Sequence, residues 1–281
     1  VAYATLSALS LIALALFLLT TRSGLTLSLG VLVVVAAGLD RRFRLPEMGL
    51  FIQIGVAVLG YRLLADPGVG WAMEASLGAV IVAFVGVIAA LVAALWLLSP
   101  LDRRLPVGVL ESAIAGFAAV FANVLVSRWL LPPGAVGTLE THYGVTLNAL
   151  PWLVLMVMQV YRAGLGGPLR WFRLGVAAVA GLLAAAGLLI AVFPMNPLFA
   201  RYPDVPGALV RGPTVLDSLA LAYAVPGVLL IFGAWRVRSL PRGLRLGFYG
   251  AGAALVALYI GLEIRRFWQG EWPRIPGVTL A

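Results

Sequence analysis

Few residues in this sequence could do chemistry, and most of them stand in apolar surroundings. In "TVLDSLALAYAVPGVLL", Thr214 to Leu230, the residues Asp217, Ser218, Tyr223 and Pro226 interrupt a run of Leu, Ala and Val. In "ALYIGLEIRRFWQG", Tyr259 and Glu263 are four apart and Glu263 and Arg266 three apart, so on a helix all three touch along one face. The single histidine, His142, lies in "PPGAVGTLETHYGV". Glu111, Asn123 and Gln53 complete the polar set inside apolar stretches. A carboxylate, a histidine and a tyrosine are the parts of an acid–base, ion-binding or proton-relay site, and in hydrocarbon each ionisable group needs a partner.

Each of these residues also has a plainer reading. Asp217 near a helix start can cap free amide groups at the positive end of the helix dipole. On that reading Asp217→Asn is mild, whereas pairing with Arg211 or Arg265 would make it costly. Pro226 removes a backbone donor and bends its helix, leaving Tyr223 beside the opened turn. Asn148 and Pro151 in "NALPW" are a weaker candidate for a second break. Glu263 with Arg266 can be an interfacial ion pair whose arginine reaches water.

Composition decides what must position these groups. The chain of 281 residues is 62% hydrophobic and 11% charged, with a mean hydropathy of +1.04. That is the composition of a polytopic membrane protein, all-α, with the bilayer as its solvent. There is no cysteine, which excludes disulfides, thiolate metal sites and cysteine nucleophiles. All twenty basic residues are Arg, so no lysine is available as a Schiff-base former or general base. No HExxH, GxSxG or P-loop occurs, and one histidine does not make a zinc site. No metal or cofactor is expected, and no nucleic-acid partner: the arginine clusters suffice as orientation signals.

A spanning helix needs about 20 apolar residues, and on that criterion about nine spans are expected in one helical bundle. They fall near 1–20, 25–39, 47–64, 76–98, 106–130, 146–162, 172–193, 214–235 and 244–264, the second being the shortest. "DRRFRLPE", "SPLDRRLP", "GLGGPLRWFR" and "RVRSLPRGLR" read as tight connections at one membrane surface. That side carries an excess of basic residues, and the positive-inside rule assigns it, with the amino end, to the cytoplasm. The facing loops are longer and chemically mixed, and Trp71, Trp129, Tyr202 and Trp268 near the interfaces read as anchors. Gly243, Gly247 and Ala251 in the last span, and Gly175, Gly181 and Gly187 in the seventh, are small-residue ladders suited to close helix packing. The chain starts with Val1 inside an apolar run and stops at "GVTLA", the ends expected of a piece of a longer polypeptide.

"NPLFARYPDVPGALVRGPTVLDSLALAYAVPGVLL" followed by "GAALVALYIGLEIRRFWQG" resembles the carboxyl-terminal region of bacterial predicted membrane proteins grouped as domain of unknown function 2339. The family's Asn-Pro pair corresponds to Asn196 and Pro197, its glycine to Gly207 or Gly212, its helix to Leu216–Pro226 and its "EIR" to Glu263–Arg265. The family's usual Asn is Asp217 here. The resemblance implies a bacterial inner-membrane location and no established activity.

The reading is a structural or accessory inner-membrane component with an outward polar surface, leaning away from an enzyme without excluding one. Its partners are membrane lipids and other membrane subunits, and its candidate binding residues are Asp217, Tyr223, His142, Glu263, Arg265 and Asn196. The alternative is a transporter, or an envelope enzyme acting on a lipid-linked or glycan substrate, which would gather Asp217, His142, Glu263 and Arg265 in an open cleft.

Overall fold

A computed structural model describes residues 2–19, 22–130, 141–198, 210, 212–238 and 240–269. The helices in chain order are α1 (Ala2–Leu19), α2 (Arg22–Phe43), α3 (Met48–Leu64), α4 (Gly68–Glu74), α5 (Leu77–Leu98), α6 (Arg104–Leu130), α7 (His142–Gly164) and α8 (Arg170–Val192). A single π-helical turn at Ala220–Ala224 then runs into α9 (Val225–Arg236), and α10 (Arg242–Gln269) follows. The chain divides into two units, residues 1–124 with 167–169, and residues 125–166 with 170–281, so that α6 contributes to both.

Among the described residues six helices are long and apolar enough to cross a membrane, and α3 with α4, bent by 50°, makes a seventh if counted as one span. The expected nine positions all carry apolar helix among the described residues. The first, α1, has 18 residues, about 27 Å at 1.5 Å per residue, and Ala220–Arg236 is a shorter apolar stretch. The eighth expected span begins late because residues 212–217 form a tied turn rather than helix. The expected short second span is instead a full 22 residues, since "LDRRF" stays helical and places Arg41 and Arg42 at the negative end of the α2 dipole. Part of the loop expected before α5 is the short α4.

In the first unit, α2 packs against α3 and α5. Glycines make the approach close. A Cβ at Gly55 of α3 would lie 2.8 Å from Val33 Cγ2, and one at Gly30 would lie 3.2 Å from Ala90 Cβ. α5 is apolar all round, which suits a helix facing core on one side and lipid on the other: Phe84, Val87 and Leu91 are buried while Val82, Val92 and Trp96 are exposed. Its first turn is capped by Ser76, whose Oγ accepts from Ala79 N at 3.3 Å. Where α2 ends, Asp40 is fully buried and accepts two hydrogen bonds from Arg103, both 2.9 Å. Those bonds push the Arg103 pKa still higher than usual, with burial opposing.

In the second unit, α7 starts at Thr141, whose Oγ1 accepts from Gly144 N at 2.8 Å. It runs unbroken through Pro151, so the weaker candidate break is not one. α8 packs on α7 at Gly181 and Gly187: a Cβ at Gly187 would lie 2.7 Å from Ala149 Cβ. α9 and α10 touch at Gly227 and Gly252, where an added Cβ on either would come within 2.8 Å of the other's carbonyl oxygen. At Gly243 and Gly247, in the ladder expected to pack, an added Cβ would meet no described residue within 4 Å. The seam is therefore set one helical face away from the ladder read in the sequence.

Candidate functional site

The polar residues of the second unit converge where α7 and the π-helical turn begin and where α8 and α10 end. Asp217 ends the turn and caps the helix after it: Oδ1 accepts from Ala220 N at 2.9 Å. Its other oxygen, Oδ2, accepts from Arg266 Nη1 at 2.7 Å, and the side chain is wholly buried. The carboxylate is thus both cap and ion-pair partner. The partner is Arg266 rather than Arg265; Arg211 lies outside the described residues.

Arg266 also donates from Nη2 to the Gly212 carbonyl at 2.9 Å, and Tyr259 OH donates to the Val215 carbonyl at 2.8 Å. Tyr259 and Arg266 stand seven residues apart, two turns on one face of α10, and together they fasten the 212–217 turn. Gly212 has to be glycine, because its φ is +107° and a Cβ there would lie 2.9 Å from Asp217 Cα. Glu263 sits between them, 3.9 Å from Arg266 Nη1. The face predicted from spacing is present, and its use is to hold a loop.

Behind this turn His142 is fully buried, with Nε2 3.0 Å from Ser218 Oγ and its ring stacked on Tyr223 at 6.2 Å. Tyr223, also fully buried, donates to the Ala191 carbonyl of α8 at 2.9 Å. Pro226 has no N–H for the Ala222 carbonyl four residues before it. Thr146 of α7 fills that vacancy, its hydroxyl shared between the Ala222 carbonyl at 3.2 Å and the His142 carbonyl at 3.0 Å. Asn196 is structural in the same sense. Nδ2 donates to the Val192 carbonyl at the end of α8 at 2.9 Å, and Oδ1 accepts from Leu198 N at 3.0 Å.

Arg265, by contrast, is exposed and lines a cavity of about 10 Å³, room for one water, with Pro197, Val210, Leu219, Leu262 and Arg266. Asp217 and Arg266 therefore form one cluster, with Glu263 beside the arginine, and His142, Ser218, Tyr223 and Thr146 form a second, buried one. Asn196 is bonded locally at the end of α8, and Arg265 faces outward. Among the described residues no three His, Asp or Glu side chains converge on a metal position. A His–Ser contact at 3.0 Å has the spacing of a base and nucleophile, and both residues are buried among the described residues.

No curated protein and no solved structure matches the chain. A family profile described as "Predicted membrane protein (DUF2339)" matches residues 1–279. A buried network that ties apolar helices together, in a chain with several membrane-capable spans, accords with that match, and the protein belongs to the DUF2339 family of predicted membrane proteins.

Proposed function

We propose that the protein is a structural or accessory component of a bacterial inner membrane, its amino end cytoplasmic and the 212–217 end of its second unit facing outward. The observation that carries this is the use made of Arg266: its guanidinium serves a buried carboxylate and a backbone carbonyl at once, and so fixes a surface rather than a reaction. The basic connections after α2, α5, α7 and α9 support the orientation. The enclosure of His142 supports an accessory role over an envelope enzyme, whose base has to meet its substrate.

The test is extraction of the full-length protein from its own membranes in a mild detergent. An accessory component migrates in a complex of fixed stoichiometry with another membrane protein, and Arg266→Ala, which frees the 212–217 surface, dissolves that complex. A chain that migrates alone, or only with copies of itself, overturns the reading.

A further inference from the structure

In the second unit a groove of about 460 Å³ opens sideways between α8 and α10, floored by Leu153 and Met156 of α7 and Leu230 of α9. That volume is within the usual range of about 300–1,000 Å³ for small-molecule sites. Its lining is apolar throughout, and small residues, Ala185 on α8 with Ala251 and Ala254 on α10, create the space. Along α8 it runs from Gly181 to Val192, the half of that helix nearest the polar network. Eleven steps of 1.5 Å make about 16 Å, close to half of the roughly 30 Å hydrocarbon thickness. The groove is one leaflet deep.

Seven residues beyond Leu258, two turns on along the same face of α10 and about 10 Å past the groove, stands the exposed Arg265. An apolar slot with a cation beyond its polar end has the shape and charge of an amphiphile. We propose that the groove holds an acyl chain of an anionic phospholipid from the surrounding bilayer, with the phosphate at Arg265. A second copy of this chain is a poorer occupant, since a packing helix would have to bring an anion to Arg265 and to enter a slot one leaflet deep. The inference stands apart from the accessory role and does not need it.

The experiment places the full-length protein in nanodiscs of equal phosphatidylglycerol and phosphatidylcholine, with a trace of phosphatidylglycerol carrying a photoreactive acyl chain. In the wild-type chain the label concentrates on residues 181–192 and 248–258. Label spread evenly over the exposed faces of α5 and α10, or a chain-to-chain crosslink through this slot, overturns the proposal. In native mass spectra Ala185→Leu combined with Ala254→Leu loses the retained lipid. Arg265→Gln keeps a lipid but reduces the preference for phosphatidylglycerol about five-fold, the effect of one surface cation. Unchanged retention in the filled variant, or unchanged preference in the arginine variant, refutes the site. If the filled variant does not fold, the wild-type label decides.

Discussion

Arg266 of α10 and Asp217 of the turn before the π-helical segment form an ion pair of 2.7 Å in which the carboxylate is wholly buried and the guanidinium side chain only 15% exposed. Forty-nine residues of sequence separate them. The pair joins the last long helix to the start of the one before it, and the consequences of breaking it differ for its two ends.

Asp217→Asn keeps an oxygen for Ala220 N but leaves Arg266, in a largely enclosed place, with only Glu263 at 3.9 Å as a charge partner. The expectation of a mild effect, drawn from capping alone, is therefore revised: the cost is about 3 kcal/mol, against roughly 1 kcal/mol for a lost cap. Melting in detergent gives the order wild type, Asp217→Asn, Asp217→Ala. Adding Arg266→Met and Glu263→Gln to Asp217→Asn recovers part of the loss, because neither the arginine nor the carboxylate beside it is then left unpaired. A triple variant no better than the single one contradicts this.

Thr146→Val removes the hydroxyl that serves the carbonyl freed by Pro226. A buried acceptor left unmet costs about 1–2 kcal/mol, while Thr146→Ser retains the donor and stays close to wild type. The discriminating variant is Thr146→Val with Pro226→Ala, where the restored amide makes the combined loss smaller than the sum. Strict additivity in melting measurements would show that the two residues do not act on the same carbonyl.

Gly227→Ala and Gly252→Ala each force a methyl against backbone across the α9–α10 seam and destabilise by about 1–3 kcal/mol. Gly247→Ala, with open space around it, is neutral or slightly stabilising through helix propensity. Equal sensitivity at Gly247 and Gly252 would place the seam on the other face.

The proposed orientation can be mapped with single cysteines, since the chain has none of its own. Arg103 and Thr141 are poor label sites, the first bound to buried Asp40 and the second a buried cap. Exposed residues on the same two expected sides serve instead. Asp102→Cys and Arg242→Cys are expected to react with an impermeant maleimide only after permeabilisation, Glu74→Cys and Thr214→Cys in intact cells. Reaction at Asp102 from outside reverses the orientation.

What the sequence by itself determined was set by local and average properties. Hydrocarbon demands internal backbone hydrogen bonds and apolar surface, so a chain this apolar had to be helical, and the Pro, Gly and Arg punctuation marked where helices stop. The i, i+4 and i, i+3 spacing placed Tyr259, Glu263 and Arg266 on one face. Pro226 disclosed that a carbonyl needed a donor. Tertiary structure decided the partners. Thr146 supplies that donor from 76 residues away, Arg266 rather than Arg265 turns toward Asp217, and Gly252 rather than Gly247 meets α9. Neighbouring residues on a helix differ by about 100° in direction, so the rotation of α10 about its axis selects which arginine and which glycine face inward. That rotation is fixed by packing against other helices, and a face read from spacing within one helix does not say which neighbour it meets.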